Sequence, residues 1–515
     1  MNSKAIHAGI VSSGTRSFTL AEIRERSARA AAGFAALGLE NGGILAVMLR
    51  NDVPFIECVL AANQIGAYSV PINWHQKAEE TRYVLSDSRA SVLVVHSDLL
   101  RNIREAVPDN VTVICVRTPP EVLEAQFVPA EAAPPLAGYL EWESWIAQFA
   151  PLVQSPTSPR GTMVYTSGTT GLPKGVKREP VAAGNRRAYE TLRQQWFGHR
   201  PGMRTAIIGP MYHSVQASYA LASISANGTV FLLPRFDAER VLTLIEHERL
   251  THLHLVPVMM NRLLQLPQAV REKYDLSSLE FVIHGAAPCA PDVKRRFIEW
   301  WGSIIHEYYG TSEAGMVSRC SSEEWLQREG TVGRPWPGRR IRIYDSQGRV
   351  LPPRVKGTVY MSLGLMPDFT YHNADEKRSA IERDGLITNG DIGYLDEDGY
   401  LFLCDRQHDV VISGGVNIYP AEIEAVLAMH PGVLDSAVFG IPDSEYGEAL
   451  VAAVQPRDGH TLSTSELECF LKARLTNYKV PRRFEIGVSL PRDESGKIFK
   501  RLLRDPYWAH TDRRI

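Results

Sequence analysis

Short apolar runs alternate with segments of helical length along most of this chain, and that alternation leaves few architectures open. ILAVMLR (44–50), SVLVVH (91–96), VTVICV (111–116), TAIIGP (205–210), TVFLLP (229–234), residues 253–256 and FVIHGAAP (281–288) read as strands. Residues 20–37, 53–65 and 237–248 carry apolar side chains at helical spacing between them. Strands that alternate with helices build a mostly parallel sheet covered on its faces, so the expected class is α/β. A Pro- and Ala-rich stretch over 119–135 reads as a surface loop. Beyond Gly333 the character changes to short β-runs joined by Asp/Gly turns, as in GYLDEDGYLFLCD, which predicts a small β-subdomain. After Asp409 a last unit mixes helices (420–429, 463–475) with strands (435–443, 448–456).

With 515 residues the chain is too long for one core, and about 150 residues per domain suggests roughly three structural units. A formal net charge of −2 gives no support to a nucleic-acid or anionic-membrane partner. The six cysteines form no C-x-x-C pair, which suits reduced thiols better than a disulfide scaffold or zinc site. The N-terminus has no apolar run of signal-peptide length, and no uncharged apolar stretch of about 18 residues follows. The expectation is a soluble, cytoplasmic protein without a membrane span; oligomeric state is not legible.

The most informative segment is YTSGTTGLPKGVKRE (165–179). Ser167, Gly168, Thr169, Thr170, Gly171 and Lys174 combine hydroxyl donors, flexible backbone and a cation just after an expected strand at 162–165. Glycine lets backbone N–H groups turn toward an anion, and the lysine adds charge, so a phosphate cradle is the sharp reading and a surface loop the plain one. It is not a Walker A loop, because Pro173 and Gly175 stand where Gly and Ser/Thr are required.

This string resembles the phosphate loop of the adenylate-forming superfamily, which includes acyl-CoA synthetases, fatty-acid–CoA ligases, adenylation domains and luciferases. Its other motifs follow in order over nearly the whole chain. The resemblance assigns Thr166, Ser167, Gly168, Thr169, Thr170 and Lys174 to the ATP phosphates. In YGTSEAG (309–315), Tyr309 would face the purine, Thr311 a phosphate, and Glu313 would hold Mg²⁺; taken alone, Glu313 reads as a charge at a helix N-terminus. Gly285, Ala286 and Ala287, in HGAAP, resemble the turn that packs on the other purine face, although a plain β-turn fits as well. Asp391 matches the ribose-binding acid, and Arg406 the arginine near ribose and phosphate. Gly414, in SGGVNIYPAEIE, matches a glycine lining the pantetheine channel, and Lys497, in PRDESGKIFK, the catalytic lysine of a C-terminal loop.

The resemblance implies a large N-terminal domain (1–405) of α/β subdomains plus a small β-subdomain. A small mobile α+β C-terminal domain (406–515) follows, hinged near His408, a position that departs from the family's usual Asp, Lys or Ser. It implies ATP and Mg²⁺, a carboxylic acid, and either coenzyme A or an amine as acceptor; amide-forming, coronafacate-ligase-like relatives share the same motifs. A non-catalytic adenylate-binding protein is a third reading, disfavoured because Lys174 and Lys497 are both present. The acid pocket is expected among Tyr212, His213, Val258, Tyr308, Gly315 and Met316, whose apolar and aromatic character suits an apolar or aromatic acid. No cation in those stretches points to a dicarboxylic acid.

Overall fold

A computed structural model describes residues 9–153, 159–166, 173–414, 416–492 and 498–509. Two sheets form the body. The five-stranded one runs Tyr68–Pro71, Ile44–Met48, Val92–His96, Thr112–Val116, Leu140–Glu141, parallel throughout. Ile44–Met48 and Val92–His96 are buried at every position, as strands covered on both faces must be, and this is why they read as unbroken apolar runs. Between them the helix Val53–Ile65 starts on the Asp52 carboxylate and a first-turn proline, and ends on Gly66 at φ 73°. These are the residue types that satisfy helix ends.

The second sheet has nine strands. A parallel core of Phe281–His284, His252–Leu255, Arg204–Ile207 and Thr229–Leu232 continues into Ile305–Thr311, whose hairpin with Gly315–Cys320 is antiparallel. At the other edge the hairpin Ile10–Ser13/Arg16–Thr19 docks parallel on Thr229–Leu232, an addition the sequence reading did not anticipate. The stretch 119–135 is corrected in part: it holds a helix, Pro120–Ala125, burying Val122 and Leu123. Proline there opens a helix rather than a loop.

Within residues 341–406, Phe369–Tyr371 pairs with Lys174–Arg178 in a separate sheet, while six strands form the expected β-subdomain. Its strand Leu401–Arg406 runs through the expected domain boundary, with Arg406 paired to Asp391. Beyond it, Val433–Asp443, Gly447–Pro456 and Arg483–Ile486 make a sheet covered by Pro420–Leu427 and Thr464–Lys472. Among the described residues no helix is long and apolar enough to cross a membrane.

Candidate active site

The strand Ile305–Thr311 organises the site. Adjacent strand residues point to opposite faces, and here that separates two tyrosines. Tyr309 donates to Asp391 Oδ2 at 2.5 Å, and Asp391 Oδ1 lies 3.3 Å from Arg406 Nε. Tyr308 turns the other way, its hydroxyl 3.1 Å from His254 Nε2, while His254 Nδ1 lies 3.0 Å from Gln216 Nε2. An amide nitrogen only donates, so Nδ1 accepts and the ring proton sits on Nε2, pointing at Tyr308. The phenol proton then has no acceptor among the described residues.

The hairpin is irregular between Tyr309 and Gly310, and the following loop is held from beneath. Arg178 donates to the carbonyls of Ser312 and Glu313, each at 2.6 Å, and to that of Pro367 at 3.0 Å. Arg339 likewise donates to the carbonyls of Ala314, Ser362 and Leu363. Burial lowers both guanidinium pKa values, that of Arg339 to about 10. The Thr311 hydroxyl accepts the Ala314 N–H at 2.9 Å. Glu313 is 6 % exposed; Tyr371 donates to its Oε1 at 3.1 Å and Asn389 to its Oε2 at 2.5 Å.

These groups face one cleft of about 2360 Å³. Of the residues singled out from the sequence, Thr166, Lys174, Ala286, Ala287, Tyr309, Thr311, Glu313, Asp391 and Arg406 line it, as do Tyr212, His213, Val258, Tyr308, Gly315 and Met316. Gly285 and Gly414 are not on its wall. A Cβ on Gly285 would come within 2.6 Å of the Tyr308 ring and carbonyl, so glycine permits that packing. Ala286 beside it takes a left-handed φ of 68°, uncommon for a residue with a Cβ. Gly414, at φ 56°, donates its N–H to the Tyr446 carbonyl. Ser167, Gly168, Thr169, Thr170 and Lys497 lie outside the described residues.

Both units of the chain border the cleft. Ala421, Glu424 and Lys500 line it from the C-terminal side, and the Ala421 N–H donates to Asp405 Oδ2 at 2.9 Å. Arg504 Nη1 donates to the His408 carbonyl at 3.2 Å.

The sequence reading missed the helix Arg186–Trp196, which turns Arg186, Tyr189, Glu190, Arg193 and Trp196 to the cleft. The reading that no cation points to a dicarboxylic acid covered other stretches; Arg186 and Arg193 of this helix border the same cleft. The spacing of three or four residues from Arg186 to Tyr189 and Glu190, and on to Arg193 and Trp196, was the available signal.

Behind Tyr308 lies a group of histidines that burial keeps neutral. Their pKa falls to about 3 for His199 and about 4 for His252, His254 and His306. The unfolded chain takes these protons near pH 6.5, the folded one does not. Stability is therefore complete above about 6.5 and lost as pH falls toward 4, by about 1.4 kcal/mol per unit for each histidine. Urea midpoints should fall steadily over that window, and His254→Asn should flatten the decline; a flat wild-type profile would contradict it.

Comparison with known proteins adds the following. A family model described as AMP-binding enzyme matches residues 2–365, and one described as AMP-binding enzyme C-terminal domain matches 422–497. A fatty acid–[acyl-carrier-protein] ligase of Streptomyces coeruleorubidus is 32 % identical over 508 residues, covering 97 % of this chain and 93 % of that protein. A feruloyl-CoA synthase of an Amycolatopsis species is 32 % identical over 502 residues, covering 96 % and 95 %. Among solved structures, an amide bond synthetase of Marinactinospora thermotolerans superposes with a TM-score of 0.83 at 27 % identity, covering 98 % and 97 % of the two chains. ATP-bound MatB of Rhodopseudomonas palustris gives 0.83 at 26 %, covering 97 % and 96 %.

Proposed function

Because the chain belongs to the AMP-binding enzyme family of adenylate-forming ligases, we propose that it activates a carboxylic acid with ATP and passes the acyl group to the thiol of coenzyme A. The observation that carries this is the strand Ile305–Thr311, which presents Tyr308 and Tyr309 to two sides of one cleft. Tyr309, Asp391 and Arg406 form the nucleotide side, where Asp391 accepts from the ribose hydroxyls. Tyr308, Met316, Val258, Tyr212 and His213 form the acid side. The large apolar share of that side favours an apolar or aromatic acid.

In the first half-reaction an oxygen of the acid bonds to the α-phosphorus as the bond to pyrophosphate breaks. No side-chain nucleophile or general base is needed; the task is to offset negative charge where two anions meet. Lys174 and the Thr166–Thr170 loop hold the phosphates, Thr311 adds a hydroxyl, and Lys497 meets the reacting oxygens. Glu313 suits Mg²⁺: each of its oxygens takes one hydrogen bond, which aims the carboxylate and leaves lone pairs. One carboxylate alongside substrate phosphates is an ordinary magnesium environment. When bound, the ion supplies charge neutralisation.

In the second half-reaction sulfur attacks the carbonyl and AMP leaves. The unit beyond Arg406 turns about His408 to bring Gly414 toward the pantetheine arm, exchanging Lys497 out of the site. That turn breaks the hydrogen bond between Asp405 and Ala421.

Supplying ATP, a panel of acids, and coenzyme A or an amine tests the assignment by product mass. Acyl-CoA is the expected product. A coenzyme-A-independent amide would overturn the choice of acceptor and favour the second reading, amide formation, which the likeness to the amide bond synthetase supports. A carrier-protein thiol, the acceptor type named for the Streptomyces relative, uses the same chemistry and is an arm of the same assay.

A further inference from the structure

The helix Arg186–Trp196 stands on the Tyr308 side of the cleft. Phe197, directly after it, places its ring 5.2 Å from that of Tyr219 and 6.4 Å from that of His254, the histidine bonded to Tyr308. Gln216, which lies 3.0 Å from His254 Nδ1, is on the helix Ser214–Ser225 that packs against Arg186–Trp196, while the Trp196 ring lies 5.5 Å from the guanidinium of Arg339, which donates to the Ala314 carbonyl. Trp196 and Phe197 share an apolar cluster with Met316, against which Val215 and Leu221 pack.

Against that background its own polar groups stand out. Arg193 Nη2 donates to the carbonyl and hydroxyl of Ser218, both at 3.2 Å, and Nη1 lies 3.4 Å from Glu190 Oε2. The other Glu190 oxygen, Oε1, is shielded from solvent and has no hydrogen-bond partner among the described residues. The same holds for Nε1 of Trp196, which is 5 % exposed. A shielded donor left unmet is costly, and a plain hydrocarbon acid would leave Trp196 Nε1 so, together with the one inward oxygen of Glu190, whose side chain is 37 % exposed.

We propose that Glu190 is a specificity-determining residue, selecting acids that carry a neutral hydrogen-bond donor, a hydroxyl or amide N–H, on the part that meets the helix Arg186–Trp196. This inference rests on the adenylation reading above. Charge argues for a neutral donor: Arg193 Nη1, 3.4 Å from Glu190 Oε2, already offsets the carboxylate, so an ammonium would bring a second cation to one anion. The Trp196 N–H is available to an oxygen elsewhere on the same substituent.

The test uses acids matched in length, with and without a terminal hydroxyl: ω-hydroxyalkanoate against alkanoate, and para-hydroxyaryl against aryl acid. Acid-dependent pyrophosphate exchange gives kcat/KM for each. Wild type should favour the hydroxylated member by tenfold or more. Glu190→Leu should reverse that order, and the nearly isosteric Glu190→Gln should narrow it, with thermal unfolding checked for both. The proposal is overturned if wild type favours the unsubstituted acids, or if its preference survives in Glu190→Leu. Exchange without discrimination defeats only the role of Glu190, whereas no exchange with any acid defeats the adenylation reading as well.

Discussion

Lys497→Ala is expected to lower acid-dependent pyrophosphate exchange by about two to three orders of magnitude, the usual cost of removing one preorganised donor from developing charge. Attack of the thiol on preformed acyl-adenylate should be largely retained, because no phosphorus bond to pyrophosphate is then being broken. The ends of the segment bearing Lys497 are anchored. Arg492 and Ile498 pair as an antiparallel bridge and both border the cleft. Arg492 Nη2 lies 2.8 Å from Asp435 Oδ2, Lys500 Nζ 2.8 Å from Glu424 Oε1, and the Phe499 N–H donates to the Pro491 carbonyl at 2.7 Å. Single-turnover measurement of each half-reaction decides the matter, and equal losses in both would reduce Lys497 to a structural role.

Lys294→Met is expected to destabilise the fold by about 3–5 kcal/mol, the cost of stranding one member of a buried ion pair. Lys294, on Pro291–Trp301, is fully buried; its Nζ lies 2.5 Å from Glu307 Oε2 and 4.8 Å from the centre of the Trp325 ring. Glu307 sits on the strand that carries both tyrosines, and burial already raises its carboxyl pKa against the pull of Lys294. Without the lysine that carboxyl should be protonated in the folded state. A carboxyl with raised folded pKa weakens the fold as pH rises through it, so the gap to wild type should shrink between pH 7 and pH 5. Urea unfolding of Lys294→Met and of Lys294→Met/Glu307→Leu checks both points. The double variant should recover most of the loss; a strictly additive result would mean that the pair is not coupled.

The sequence disclosed those parts whose physics is local. Ile44–Met48, Val53–Ile65 and Val92–His96 were legible because continuous burial and capped amphipathic spacing are written in consecutive residues. Tyr309, Thr311, Glu313, Asp391 and Arg406 were legible because short strings carry them, and the fold brings them to one cleft. Other features depend on what the chain meets at a distance. Nothing around Arg178 in KGVKRE announces that its partners are carbonyls more than a hundred residues away. Arg339 gave no signal either, because its carbonyl partners at Ala314, Ser362 and Leu363 lie in loops beyond its own segment. Glu190 and Arg193, three apart on a helix, look like an ordinary solvated pair, and only the fold shows that both border the cleft. Gly285 drew notice as part of a turn, yet its constraint is the ring of Tyr308.

The opposed directions of Tyr308 and Tyr309 carry an evolutionary consequence. Because the pleat, and not a loop, divides the two walls, substitutions that retune which acid fits can accumulate at 308 and its neighbours while 309 keeps its hold on Asp391. A one-residue insertion upstream of Tyr308 within the strand would exchange both walls together. Descendants of such a scaffold are free to drift in residue identity on one side, and are held to the length of a single strand.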